Sequence, residues 1–217
     1  MRSVLSSALT VLALASTQVY AAAFPDYSLE GPIAKRSAYP FNQLVAFGDE
    51  LSDNGNGSYK ANITGDPRNV YGFGTWTNGP VAVSYLADLL GVPLRDLAFG
   101  GCCGGGSFGA TIDNSYTAAQ AQVSGQPVPS VHQQVRNEYI GQAHPNIKNA
   151  LEFIWTGEND LSVHTDAFWE GDSKNADFAT QISTRILAEA EYLASKGAPY
   201  VMVANVRMTH SKILQIL

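Results

Sequence analysis

Three short strand-like runs, each closed by glycine, constrain the fold of this chain more than any other feature. Asn42 to Phe47 ends at Gly48, Arg95 to Phe99 ends at Gly100, and Leu151 to Trp155 is closed by Thr156-Gly157. Apolar runs of this length, bounded by turn residues, read as buried strands. Helical patterns separate them. Asn78-Gly79-Pro80 reads as a helix start, with Asn78 as cap, and Val83, Leu86 and Leu90 recur at helical spacing until Gly91. Ser130 with Gln133 makes a capping box, after which Val131, Val135 and Tyr139 mark one face of a helix ending near Gly141. A longer amphipathic pattern runs from Ala176 to Lys196, with Phe178, Ile182, Ile186 and Tyr192 aligned and Gly197 as the stop. Tyr200 to Val206 is a fourth strand. Strands alternating with helices predict an α/β domain of three layers, α/β/α, flavodoxin-like, with a mainly parallel sheet covered on both faces. Ligands of such sheets lie beyond the carboxyl ends of the strands, where Gly48, Gly100 and Gly157 all fall. The glycine-dense segment from Gly100 to Gly109 and the polar stretch to Pro129 have no clear period and read as a long loop bordering that crevice.

The termini and composition narrow the setting. Arg2, the apolar Val4 to Ala15 and the small residues Ala21 to Ala23 read as a signal peptide over residues 1–23, so the chain is expected to be secreted. That apolar stretch is too short for a membrane anchor. Residues 24–36, ending in the dibasic Lys35-Arg36, read as a pro-segment or linker, residues 37–206 as one domain, and residues 207–217 as an atypical tail. Asn56-Gly57-Ser58 and Asn62-Ile63-Thr64 are glycosylation sequons in keeping with export. A net charge of -6 excludes nucleic acid as a partner. The two cysteines, Cys102 and Cys103, are adjacent, leaving a vicinal disulfide, two buried thiols or partners lost with missing sequence as readings. Zinc is disfavoured for want of a second Cys or Cys/His pair, and no cofactor or metal is expected. Gly104 to Gly109 fits Gly-x-Gly-x-x-Gly literally, but no helix opens on it and no acidic residue follows at the right distance, so no dinucleotide site is read there.

Four segments carry chemistry together. Gly48-Asp49-Glu50-Leu51-Ser52 follows the first strand, Thr75-Trp76-Thr77-Asn78-Gly79-Pro80 precedes the first helix, Leu97-Ala98-Phe99-Gly100-Gly101 follows the second strand, and Thr156-Gly157-Glu158-Asn159-Asp160 follows the third. Singly, each is an ordinary turn or cap. In this order they resemble the blocks of the GDSL, or SGNH, ester hydrolases over residues 41 to 206. The resemblance implies the SGNH fold and hydrolysis of carboxylic esters, such as acetyl groups on polysaccharides or lipid-like esters; a monomer is expected. It implies Glu50 at the nucleophile position with Asp49 beside it, Gly101 (or Gly100) and Asn159 as oxyanion donors, and Trp76 and Asp160 on the substrate side.

Two expected parts are absent. The family's Gly-Asp-Ser-Leu reads Gly48-Asp49-Glu50-Leu51 here, and a carboxylate would place charge where an oxyanion develops. None of His132, His144, His164 or His210 stands in the family's Asp-x-x-His block, and Arg207 to Leu217 does not read as a return to the sheet. The sequence therefore predicts a last strand and helix missing after about Val206, by truncation or mis-splicing, and weak or absent esterase activity. Ser52 is the candidate substitute nucleophile. Glu50 with Asp53 is a candidate metal or acid–base pair, and Tyr71, Phe73 and Trp76 suit a non-catalytic carbohydrate-binding relative.

Overall fold

The computed structural model describes residues 39–55, 75, 77, 79–100, 109–115, 122–123, 126–142, 145–163 and 172–204. Its centre is β1 (Gln43–Gly48), a strand with a partner on each edge. On one side lies β2 (Leu94–Asp96), with Ala46 opposite Asp96. A two-residue antiparallel ladder, β3 (Gln122–Val123) with β4 (Gln126–Pro127), stands apart from the main sheet. On the other side of β1 lies β5 (Ala150–Trp155), paired from Gln43 opposite Ala150 to Gly48 opposite Trp155. Beyond β5 is β6 (Tyr200–Val203), giving the order β2-β1-β5-β6, all parallel.

Alternation along β1 builds both faces of the core. Leu44 and Ala46 pack with Val83 and Ala87 of α1 (Ala82–Leu90) and with Phe153. Val45 and Phe47 point the other way, toward α2 (Val131–Gln133) and the π-helical turns that extend it (Gln134–Ile140). That face also receives Phe178, Ile182, Ile186 and Leu193, while the short α3 (Glu158–Val163) follows β5 and the long α4 (Asp172–Ser195) precedes β6. Because both faces are covered, β1 can be apolar throughout, which is why it reads as a continuous run. The three layers and parallel order are those expected. The chain switches direction between β1 and β5, from one side of the sheet to the other, so a crevice opens beyond their carboxyl ends.

Local signals place most elements, with some differences. The capping box is present in both directions: Ser130 Oγ accepts from the Gln133 amide and the Gln133 side chain accepts from the Ser130 amide. Helices stop at Gly91 and Gly197, both at positive φ, as predicted. α1, however, begins at Ala82 with Val81 at its cap position and no side-chain cap bond. The chain ahead of it is held in a hydroxyl-bonded turn, with Thr75 and Thr77 both donating to the Gly79 carbonyl. The regular part of the second strand ends at Asp96, whose Oδ1 takes the Ala98 amide (2.9 Å), while the Leu97 and Phe99 amides still donate to the Ala46 and Gly48 carbonyls of β1 (2.8 and 3.0 Å). The fourth strand is described only to Val203. The stretch read as featureless loop carries the β3–β4 ladder. Asn78, the cysteines, both sequons, residues 1–38 and everything beyond residue 204 are outside the described residues.

Candidate active site

β1 and β5 close tightly where the crevice begins. A Cβ on Gly48 would overlap the Trp155 carbonyl oxygen, so only glycine lets the two strand ends approach this closely. Gln134, the first residue of the π-helical segment, fixes the same glycine from the adjoining layer. Its Oε1 accepts from the Gly48 amide (2.9 Å), and its Nε2 donates to the Gly48 carbonyl (2.9 Å) and the Pro129 carbonyl (3.1 Å). With β1 so anchored, the chain turns at once: the Ser52 and Asp53 amides donate back to the Asp49 carbonyl (3.1 and 2.9 Å), and Asp49 Oδ1 accepts from the Leu51 amide (3.1 Å).

Glu50 projects from that turn toward the end of β5. There α3 begins at Glu158 and puts Asn159 in its first turn, and Asn159 Nδ2 donates to Glu50 Oε2 at 2.8 Å, with the Ala110 carbonyl at 3.4 Å. Asn159 is 1% exposed, so this amide is held inside the protein. Gly109 lies against the same carboxylate, where a Cβ would overlap Glu50 Oε2 and crowd the Glu50 amide. The structure thus brings Asp49, Glu50 and Asn159 together.

The other candidates are placed differently. Ser52 is 0% exposed, and its hydroxyl has no hydrogen-bond partner among the described residues. It lies behind the turn, close to Gly48, away from solvent. Asp160 is fully buried and its Oδ2 accepts from the Ile112 amide (2.9 Å), pinning the loop that carries Gly109. Asp53 takes the Gly55 amide on Oδ1 (2.7 Å) and the Gly100 amide on Oδ2 (2.6 Å), while Glu50 takes Asn159. The Glu50–Asp53 pair is therefore directed at separate amide donors, and among the described residues no group of His, Cys, Asp and Glu has the arrangement to hold a metal ion. His132 is hydrogen-bonded to Glu189, Nδ1 to Oε1 2.8 Å, and Arg136 holds the same carboxylate. Trp76, Gly101, Tyr71, Phe73, His144, His164 and His210 lie outside the described residues.

The electrostatics are those of crowded acids. Burial pushes the Asp49 carboxyl well above its ordinary range, and the charges of Glu50, Glu158 and Asp160 push it further, against the Leu51 amide. Glu50 is also raised, first by burial and then by Glu158 and Asp53, with the Asn159 hydrogen bond opposing. Asp96, at the end of β2, is raised to about 7 by burial despite accepting from the Ala98 and Asn54 amides. Gln134 was not singled out on sequence, although a polar residue beside the Val131–Val135 stripe is a visible exception to that helix's apolar face. Among the described residues no helix is long and apolar enough to cross a membrane.

Comparison with known families gives a match to the GDSL-like lipase/acylhydrolase family over residues 44–212. The chain belongs to this family. Comparison with curated proteins gives no match. As a GDSL-like domain it has the α/β fold of the group, and the parallel sheet with helices on both faces agrees. The matched span takes in Glu50, Gly101 and Asn159 and continues past Val206 into the tail that the sequence set apart. The family's chemistry is ester hydrolysis, and its members act on ester substrates.

Proposed function

We propose that this GDSL-like domain is an exported relative of ester hydrolases whose acyl-transfer site is closed to efficient turnover by Glu50. The observation that carries the reading is the 2.8 Å bond from Asn159 Nδ2 to Glu50 Oε2. Hydrolysis of an ester through an acyl-enzyme needs a strongly basic nucleophile, such as an activated hydroxyl, and donors reserved for the developing oxyanion. Here the residue in the nucleophile position is a carboxylate, and the donor is spent on it. If Glu50 attacked an ester carbonyl it would form a mixed anhydride and expel the alkoxide, while its second oxygen competed with the oxyanion for the Asn159 amide. Buried Ser52 has neither solvent access nor a base partner among the described residues, which supports counting it out as a replacement. Export is supported by Arg2, the apolar Val4 to Ala15 and the small residues to Ala23. The ligands that remain are those of the family, acetyl or lipid-like esters and their acid products.

The test uses protein recovered from the culture medium, whose presence there checks export. Mixed with an activated acetate ester, it is expected to release no burst of product and to hydrolyse no faster than a heat-treated control. A rapid burst abolished by Ser52→Ala sinks the proposal.

A further inference from the structure

The end of the sheet opposite the crevice carries a cluster of rings and amides that the candidate site does not use. Tyr39 and Phe41 lead into β1, and Tyr200 opens β6. Tyr39 stacks on Phe41, with ring centroids 5.4 Å and planes 13° apart, and Tyr200 meets Phe41 edge-on at 5.8 Å and 62°. Tyr39 is 40% exposed and Tyr200 37%, so both keep ring surface in water. Asn146 Nδ2 donates to Asn42 Oδ1 (2.9 Å) and Gln43 Oε1 (3.3 Å), and Asn149 Nδ2 donates to Asn146 Oδ1 (3.3 Å). The backbone sets these amides beside the rings. Asn42 follows Phe41 and its amide donates to the Asn149 carbonyl (2.8 Å), while Leu151, two residues beyond Asn149, pairs with Tyr200. Asn42 and Asn149 are exposed, and a side-chain amide has two N–H groups and two oxygen lone pairs, more than these bonds use.

Apolar ring faces next to neutral groups that both donate and accept match one class of ligand. A pyranose has an apolar face of C–H bonds and a rim of hydroxyls that donate and accept. Ring geometry narrows the class: Tyr39 is nearly parallel to Phe41 and Tyr200 is steeply inclined to it, so the two exposed rings share no plane. A flat crystalline surface cannot lie on both, whereas a single chain whose successive sugars turn can. Charge narrows it again, because the amides are neutral and a net charge of -6 opposes polyanions. We infer that Tyr39, Phe41 and Tyr200, with Asn42, Asn146 and Asn149, form a surface binding site for a single chain of a neutral polysaccharide. The site lies at the amino-terminal ends of the strands, away from the crevice, and does not depend on what Glu50 does. The rings take the C–H faces of neighbouring sugars, and the amides take their hydroxyls. Lys148 stands on the same turn as Asn146 and Asn149, so an acidic chain belongs among the probes.

The experiment is native affinity electrophoresis of protein recovered from the culture medium. Gels contain soluble mixed-linkage β-glucan, polygalacturonate or no polymer. The wild type is expected to be retarded in proportion to the β-glucan concentration and to run freely with polygalacturonate. Tyr39→Ala and Tyr200→Ala should each weaken the apparent affinity about threefold to tenfold, and the double variant should run as it does without polymer. Tyr200→Leu keeps apolar bulk without a ring face and should match Tyr200→Ala; it is read in its place if circular dichroism shows the alanine variant unfolded. Tyr85→Ala, which removes an exposed ring from α1, should leave the retardation unchanged. The inference is overturned if the wild type is not retarded, if polygalacturonate retards it equally, or if Tyr85→Ala weakens binding as much as Tyr200→Ala. Retardation lost in Trp76→Ala and kept in Tyr39→Ala/Tyr200→Ala puts the sugar in the crevice and also overturns it. Size-exclusion chromatography tests the other occupant: a dimeric wild type with a monomeric double variant assigns the patch to a second copy and sinks the sugar site.

Discussion

Glu50 and Glu152 stand on or just beyond adjacent strands, both largely withdrawn from water, and the protein treats them in opposite ways. Glu152 lies within β5, 0% exposed, opposite Val45 on one side and Val201 on the other. Its Oε1 accepts from the Tyr139 hydroxyl (3.1 Å), and its Oε2 has no partner among the described residues. Arg95 stacks over the Tyr139 ring at 5.2 Å and donates to the Glu138 carbonyl and to Gln142, and makes no ion pair with the acid among the described residues. Burial lifts Glu152 to about 8, against the Tyr139 hydrogen bond, which leaves it mainly a neutral acid at pH 7. Glu50 sits past the end of its strand, where the next element can offer a side-chain amide. The same residue type is thus a silent core acid inside the ladder and a hydrogen-bonded occupant of a crevice beyond it. Place along the strand decides which.

The largest expected effect tests the core half of this contrast. Glu152 is protonated in the folded protein and ionised in the unfolded chain between its ordinary value of 4.5 and about 8. Its contribution is therefore complete below pH 4.5 and is lost as pH rises to about 8. Glu152→Gln, which cannot ionise, should remove a difference on the order of 5 kcal/mol from the change in stability across that window. Urea unfolding over a pH series measures it, and parallel curves for the two proteins would show that the acid titrates normally. Asp96 and Asp49, also raised, titrate in both proteins and cancel from the comparison.

A smaller effect is expected where the site is anchored. Gln134→Ala leaves the Gly48 amide without its acceptor and opens space in the layer above β1, a loss of about 2 to 3 kcal/mol. Denaturant unfolding at pH 6 checks it, and a change within experimental scatter would mean that β1 pairing alone fixes the turn. The smallest effect sharpens the Glu50 side. Gly109→Ala should cost about 1 to 2 kcal/mol through overlap with Glu50. Combined with Glu50→Ala, part of that cost should vanish, because one of the two clashes is with the Glu50 side chain and the other with its backbone amide. Strictly additive losses in the cycle would rule out the side-chain clash.

Much of the fold is legible residue by residue, since its signals are local. The apolar run to Gly48 becomes β1, Ser130 and Gln133 cap their helix, and Phe178, Ile182 and Ile186 face the core from α4. Less of the site is legible. The motif order flags Asp49, Glu50 and Asn159, but nothing in the sequence says that Glu50 and Asn159 touch. Periodicity predicts a regular helix after Ser130, whereas the chain widens into π-turns that turn Gln134 onto Gly48 and Tyr139 onto Glu152. A charged residue inside Leu151 to Trp155 was a signal of an unusual core group, and it went unused.

The sequence by itself determined the layers, the parallel sheet and the family, because hydrophobic period, turn chemistry and motif order are written in neighbouring residues. Tertiary structure alone decided what each acid does. Glu50 meets an amide because β1 and β5 pair in register and end together, Asp160 is turned inward to Ile112, Ser52 is buried behind the turn, and Glu152 meets the Tyr139 hydroxyl. The state of a buried carboxyl depends on donors and charges within a few ångströms, and those are set by which distant segments the packed sheet brings alongside it.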